Sequence, residues 1–374
     1  MNKKDKIILI GQLPPIITGQ SLVTADTYNI LIRRGADIIV HNLQYTEQKG
    51  FRKFLLAFKT FFSISLDIII NKSVVYISAA RSRFGFFRNA YIIILSSLFH
   101  RKIIVHFHCG DYNEFLETNG AVFRKFVKYI FTKVDVSIIL GKSLVKNFDS
   151  IYNNKMQVAI VPNGVTIKKQ SNKNSQILYV LFMSNLIESK GYLDLLEAIN
   201  ILVNKYKIDK IRVDICGRFI NHEDNLTFSN IDQYISNFNN FIITHKLSDY
   251  IKYHDLVSGE IKDSLFQNSD LFVLPTYYST EAQPLSILEA LSYGKVVLAT
   301  NHRGIPDMVI DNYNGLIIEK KSPISIVEAI LRLIDDKQFR STLSINARKH
   351  VIDNFSLVKY ENNIIELFTK FNTL

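Results

Sequence analysis

The sequence predicts two doubly wound α/β domains in tandem, and three observations carry that reading. Its 374 residues exceed the ~250–300 at which one hydrophobic core stops growing. Short runs of Val, Ile and Leu alternate along the whole chain with longer segments of helical apolar spacing, the pattern of repeated strand–helix units. The short runs lack the period-two alternation of a half-exposed sheet, so they read as parallel strands covered on both faces.

In order, strands are expected near 6–10, 37–43, 73–78, 102–108, 134–140 and 157–161, then near 177–183, 211–216, 251–256, 271–275, 295–300 and 315–318. Helical spacing marks 192–205, 261–268 and 324–335, and the amphipathic segment 357–371 closes the chain. One domain is expected over 1–166 and a second over 167–356, with the terminal segment 357–374 able to pack back on the first. The boundary follows Pro162-Asn163-Gly164, after which 168–176 is polar. Ligands of open α/β sheets bind beyond the carboxyl ends of the strands, so the chemistry is sought in the loops there and in a cleft between facing domains.

A hydrophobic fraction of 47% with 21% charged residues excludes a largely disordered chain. Two cysteines, Cys109 and Cys216, cannot build a disulfide framework or a four-thiolate zinc site, so a reducing compartment is expected. The apolar run at 7–10 is too short for a signal-peptide core. The uncharged stretch 89–99 falls short of the ~20 residues of a membrane span. A soluble, cytoplasmic chain is expected. Residues 1–166 hold 22 Lys and Arg against 10 Asp and Glu, or +12, and the remainder holds 23 against 24, or −1. A basic half beside a neutral one implies an anionic partner: nucleic acid, a phospholipid surface or a phosphorylated substrate.

The most informative segment is Thr280-Glu-Ala-Gln-Pro-Leu-Ser-Ile-Leu-Glu-Ala-Leu-Ser-Tyr-Gly294. Pro284 is placed to occupy the first turn of a helix, where its missing N–H costs nothing. The backbone N–H groups of Leu285 and Ser286 then form an anion site suited to a diphosphate. Glu281 precedes the helix and Glu289 lies one turn or more into it, where a carboxylate can accept hydrogen bonds from two vicinal hydroxyls. Acidic residues near a helix start also simply favour the macrodipole, and spacing alone favours that plainer reading.

The Glu281-to-Glu289 spacing, with Pro284, Ala290 and Gly294, resembles the Glu-x7-Glu signature of retaining GT-B glycosyltransferases of family four, the glycosyl transferases group 1. Further landmarks recur in order: the loop 11–21 after the first strand, His108-Cys-Gly-Asp111, Val161-Pro-Asn-Gly-Val165, Ser184-Asn-Leu-Ile-Glu-Ser-Lys-Gly191, Arg303-Gly-Ile-Pro306 and Asn314-Gly-Leu316. The resemblance covers nearly the whole chain and is more specific in the second half. It implies two Rossmann-like domains and a nucleotide-sugar donor, a UDP-sugar, held by the second of them. Under it Glu289 holds the ribose, Glu281 contacts the donor sugar and Lys190, beside Gly191, neutralises the diphosphate with the amides of Leu285 and Ser286. His108 touches the transferred sugar, Gly19 lets backbone approach the phosphates and Val257 lines the donor site. Glu281, His108 and Lys190 are then the catalytic candidates. A departing nucleoside diphosphate gains charge in the transition state, which a preorganised cation and amide donors stabilise without metal or cofactor. Asn185 stands where the family usually has an arginine, and Arg218 is the nearest candidate to replace that cation.

Other motifs fail. Gly141-Lys-Ser143 lacks the phosphate-loop glycine, position 136 being Val136. His106 and His108 lack a third ligand nearby for zinc. No nucleic-acid-binding module is present.

The basic half carries two mixed segments. At 51–62, Phe51, Phe54, Leu55, Phe58, Phe61 and Phe62 recur at helical spacing with Arg52, Lys53 and Lys59 between them. Such a helix lies on an anionic membrane or faces a core with its charges solvated. At 81–88, Arg81, Arg83 and Arg88 alternate with phenylalanines, which suits a pyrophosphate-linked lipid because guanidinium forks onto phosphate. The resemblance implies a polyprenyl-pyrophosphate-linked saccharide as acceptor, bound by the first domain at the inner face of the cytoplasmic membrane. The resulting expectation is a retaining, metal-independent hexosyltransferase of surface-polysaccharide biosynthesis. A same-fold nucleotide-sugar epimerase and a non-catalytic nucleotide-sugar-binding protein are the alternatives.

Overall fold

Every expected apolar run forms a strand, with ends within two residues of those read from the sequence. The computed structural model describes residues 5–15, 18–43, 51–170 and 175–374, and the side chains of 51–54 lie outside that description. Among the described residues the strands form two six-stranded, wholly parallel sheets. The chain divides into two compact units, Met1–Gly164 with Leu357–Leu374, and Val165–Ser356.

In the first unit, β1 (Lys6–Gly11), β2 (Ile38–Asn42), β3 (Ser73–Ser78), β4 (Lys102–His106), β5 (Val136–Ile139) and β6 (Gln157–Ile160) lie in the order β2-β1-β3-β4-β5-β6. The connecting helices are α1 (Gly19–Arg33), α2 (Phe51–Ile70), α3 (Arg83–Leu98), α4 (Tyr112–Thr118) and α5 (Ala121–Phe131). Helix starts follow local chemistry: Thr18 and Ser21 form a reciprocal capping box on α1, and the Ser82 hydroxyl accepts from the Gly85 N–H on α3. Ile7, Ile8, Leu9, Val75, Ile77, Ile103 and Ile104 are fully buried, which is why these strands read as continuous apolar runs.

The second unit repeats the plan. It contains β7 (Leu178–Met183), α6 (Tyr192–Asn200), β8 (Ile211–Cys216), α7 (Ile231–Thr244), β9 (Ile251–His254), α8 (Gly259–Asn268), β10 (Leu271–Leu274) and α9 (Leu285–Ser292). It continues with β11 (Val296–Thr300), α10 (Ile305–Met308), β12 (Gly315–Ile318), α11 (Pro323–Asp335) and α12 (Lys337–Phe355). The helical spacing read over 192–205 is only α6 at first, since its last turn, Ile201–Lys205, widens into a π-helical turn. Strand order is β12-β11-β10-β7-β8-β9. The order reverses direction between β7 and β10, and open α/β sheets bind ligands at such a switch point.

The chain returns to the first unit through α13 (Leu357–Thr369). There the Tyr360 hydroxyl meets Thr27 Oγ1 at 2.6 Å, Glu361 pairs with Arg34 at 2.9 Å, and Phe368 packs on Tyr76. Of the polar segment 168–176, residues 171–174 lie outside the described residues, as do 16–17 of the loop after β1.

Candidate active site

The site in the second unit is built from two loops at its switch point. After β7 the chain makes a short 3₁₀ turn, Glu188–Lys190, ended by Gly191 at φ 82°. A Cβ on Gly191 would stand 2.4 Å from the Pro275 carbonyl oxygen, so only glycine lets this turn press against the end of β10. The contact is sealed by backbone, with the Tyr277 N–H donating to the Ser189 carbonyl at 2.7 Å.

That approach brings together two residues 91 positions apart: Lys190 Nζ donates to Glu281 Oε2 at 2.7 Å. Their side chains are 12% and 7% exposed. The Thr276 hydroxyl donates to the same carboxylate oxygen at 3.1 Å, and the Tyr278 ring lies under Lys190 Nζ, 4.0 Å from its centroid. Among the described residues both bonds to this carboxylate fall on Oε2. A cation so nearly out of water is held between a carboxylate and an aromatic face.

Two further carboxylates brace the loops. Asp224 Oδ2 accepts from Ser189 Oγ at 2.7 Å and from the Ser279 N–H at 3.0 Å, so it ties the two loops to one another. Burial raises its pKa, and the hydrogen bonds from Ser279 and Ser189 outweigh that to leave it below the usual carboxylate range. Glu188 Oε2 accepts from the Tyr234 hydroxyl and the N–H groups of Leu226 and Thr227, and is lowered against its burial in the same way. His222 meets the Tyr278 hydroxyl at 3.2 Å, and His302 meets the Tyr278 carbonyl at 2.9 Å.

Helix α9 starts at Leu285, and Pro284 is its N-cap with extended backbone (φ −62°, ψ 116°). This corrects the expectation that Pro284 sits in the first turn: its carbonyl accepts from the Ile287 N–H at 3.1 Å and it stands one place outside. The N–H groups of Leu285 and Ser286 are among those a helix start leaves without an intrahelical acceptor. Glu289 lies in the second turn, and Lys262 of α8 donates to its Oε1 at 2.5 Å. Each carboxylate of the Glu-x7-Glu spacing therefore holds a lysine.

The remaining second-unit candidates are more peripheral. Asn185 is exposed. Arg218 is exposed and its Nε donates to Asp255 at 3.0 Å. Val257 packs partly buried against the core of the unit.

In the first unit, the loops after β1, β3 and β4 share the carboxyl edge of that sheet. Gly19 is the first residue of α1, and the neighbouring Gln20 side chain donates to Ser78 at the end of β3 at 2.6 Å. His108 lies two residues beyond the end of β4, its ring 4.1 Å from that of His106. Burial pushes the His108 pKa down to about 3. His106 is lowered well below its ordinary value, by burial first and by His108 second, and its Nδ1 meets the Tyr76 hydroxyl at 2.6 Å. Cys109 is pushed up to about 12 by burial and then by Asp111, which makes it an inert thiol. Arg81 Nε donates to the buried Asp111 at 2.6 Å, Arg83 opens α3 over the Phe123 ring, and Arg88 donates to Asn89. The side chains of Phe51 and Lys53 lie outside the described residues.

Sequence reading missed Thr276, Tyr278, Asp224 and Lys262. None stands in a motif, and each reaches the site only through the strand order. Tyr278 alone carried a signal, as an aromatic three residues before Glu281 in a strand-end loop.

Residues 165–350 match the family model described as Glycosyl transferases group 1. An uncharacterised glycosyltransferase of Methanocaldococcus jannaschii is 26% identical over 321 residues, 84% of this chain and 80% of that one. The UDP-Gal:alpha-D-GlcNAc-diphosphoundecaprenol alpha-1,3-galactosyltransferase of Escherichia coli is 27% identical over 237 residues, 58% of this chain and 55% of that one. The structure of sucrose-phosphate synthase from Thermosynechococcus elongatus superposes with a TM-score of 0.75 over 98% of both chains at 16% identity, a likeness of fold. With two Rossmann-like sheets of the GT-B class, the chain is a glycosyltransferase whose second unit belongs to the Glycosyl transferases group 1 family.

Proposed function

We propose that this glycosyltransferase moves a hexose from a UDP-sugar, with retention and without a metal, onto a saccharide carried by polyprenyl pyrophosphate at the inner face of the cytoplasmic membrane. The observation that carries the donor half is the 2.7 Å Lys190–Glu281 pair beside the start of α9. It joins a cation and a carboxylate from two adjacent loops, and Glu281 stands four residues before the first residue of α9.

In this reading Lys190 and the amides of Leu285 and Ser286 take up the charge that the diphosphate gains as its bond to the anomeric carbon breaks. Glu281 keeps Oε1 for donor-sugar hydroxyls, since Oε2 already holds Lys190 and Thr276. Glu289 takes the ribose diol, with Lys262 yielding part of its contact. The acceptor hydroxyl attacks from the face that the diphosphate leaves, and its proton passes to the departing phosphate oxygen, so no protein base is needed. His108 remains neutral at physiological pH and serves as a hydrogen-bonding partner of the sugar rather than a charge. The acceptor half draws on the Escherichia coli relative, whose name specifies a UDP-sugar donor and a diphosphoundecaprenol-linked acceptor.

The test is a transfer assay in chelator with UDP-hexoses and an undecaprenyl-pyrophosphate-linked saccharide, the product's anomeric configuration being read by NMR. Transfer with an α-linked product from an α-linked donor is expected. Consumption of donor without acceptor would point to epimerisation instead.

A further inference from the structure

We propose that the outer face of α2 and α3, bordered by α5, beds into the interface of an anionic phospholipid bilayer. Helix α2 exposes Leu55, Phe58, Phe62, Leu66 and Ile69, each three or four residues after the last, while Ile64 and Ile68 are buried on its other side. An amphipathic helix normally turns such a stripe inward, and here a second apolar stripe faces out. Helix α3 lies alongside: the Tyr91 ring is 5.7 Å from that of Phe61, and its hydroxyl meets Ser65 at 2.7 Å. It adds Phe84, Phe87 and Leu98 to the same exposed surface. A patch built from two helices in this way marks an interaction site rather than scattered surface residues.

Charge selects the partner. The three helices carry eight Lys and Arg and a single acid, Asp67, which His41 engages at 3.0 Å. Phe87 packs on Phe123 and Phe126, which places the exposed Arg124 and Lys125 of α5 at the border of the patch. A second copy of the chain would bring like charges together. A protein partner would need pockets for side chains that stand clear of the surface, Phe84 at 91% and Phe58 at 65% exposure. A bilayer interface accepts protruding phenylalanines without matched pockets, and its anionic headgroups meet the cations. Among the described residues no helix is long and apolar enough to cross a membrane, so the surface would lie on the bilayer rather than span it.

The location has a consequence for the acceptor. Helix α3 begins five residues after β3 ends, so Phe84 lies at the carboxyl edge of the first sheet. Arg81, between the two, is bonded to Asp111 at the end of the His108 loop. A membrane contact there would place that loop next to the lipid headgroups. The proposal concerns where the protein sits and stands independently of which sugar it transfers.

The chain has no tryptophan, so single replacements serve as reporters in the full-length protein. Phe62→Trp and Phe84→Trp should shift to the blue and be quenched by brominated lipid in vesicles containing about one-third anionic phospholipid, whereas Leu226→Trp, exposed in the second unit, should not. Phe62→Ser and Phe84→Ser should each weaken vesicle binding roughly tenfold, the scale of withdrawing one partly inserted aromatic ring, with an unchanged unfolding midpoint. Binding should fall steeply with salt. Unquenched tryptophans at both positions, or equal binding to neutral and anionic vesicles, would overturn the proposal.

Discussion

Lys190 and Glu281 lie 2.7 Å apart with their side chains almost fully enclosed, and each is the other's principal countercharge among the described residues. Removing one leaves the other charge buried. Lys190→Met or Glu281→Leu alone should cost about 3 kcal/mol of unfolding free energy, and the double variant should cost much less than the sum. Denaturant unfolding of all four proteins measures the coupling; strict additivity would mean that the pair is not energetically linked. In activity Lys190→Ala should lower kcat roughly 100-fold, the scale of losing one transition-state donor.

Glu289 and Lys262 make a pair nearer to solvent, about a quarter exposed on each side. If the carboxylate takes the ribose, Glu289→Ala should weaken UDP binding by about tenfold, the scale of a charged hydrogen bond. Lys262→Met should leave it within about threefold, because in this reading the lysine touches the carboxylate and not the ribose. Titration calorimetry with UDP separates the two. Equal losses would assign the nucleotide contact to Lys262.

Asn185 is exposed, and under the proposed donor site it takes the place that the family resemblance gives to a second phosphate cation. Asn185→Arg should therefore tighten UDP binding by about fivefold, as one charge-assisted hydrogen bond would, with little change in stability. An unchanged dissociation constant would show that the diphosphate lies elsewhere.

Gly191 turns the chain through the left-handed region, with the Pro275 carbonyl against it. Gly191→Ala should cost about 3 kcal/mol or more from strain and contact together. It should also reduce turnover, because Lys190 must move with the turn. A variant with wild-type stability would mean that the approach is looser than drawn.

His108 is held to about pKa 3 and His106 is also lowered, both mainly by burial. An unfolded histidine, near its ordinary 6.5, binds a proton that the folded one refuses. Stability should therefore be fully present above pH 6.5 and fall as the pH drops from there toward 3. His108→Gln should flatten that slope in urea unfolding at pH 4–7. An unaltered slope would place the His108 pKa near its ordinary value.

The strands and their order, with the helices read over 192–205, 261–268, 324–335 and 357–371, were legible because they depend on a local property, apolar periodicity. The Glu281-to-Glu289 spacing was legible for the same reason, since a helix converts sequence distance directly into position. Pro284 was misplaced by one residue because its backbone conformation at the helix boundary, not its identity, decides whether it is inside. Helix periodicity also left open whether the phenylalanine-rich 51–62 faces a core. A stripe at helical spacing fits either reading until neighbours are known, and α2 turns Phe58 and Phe62 outward.

What the tertiary structure alone decided is which loops meet. Strand pairing sets β10 beside β7, and only then do Lys190 and Glu281, 91 residues apart, become an ion pair. Thr276, Tyr278, Asp224 and Lys262 join them by the same route. Periodicity reports how a segment folds against whatever covers it. Which segment does the covering is settled by the packing of the whole sheet, a property that no window of sequence contains.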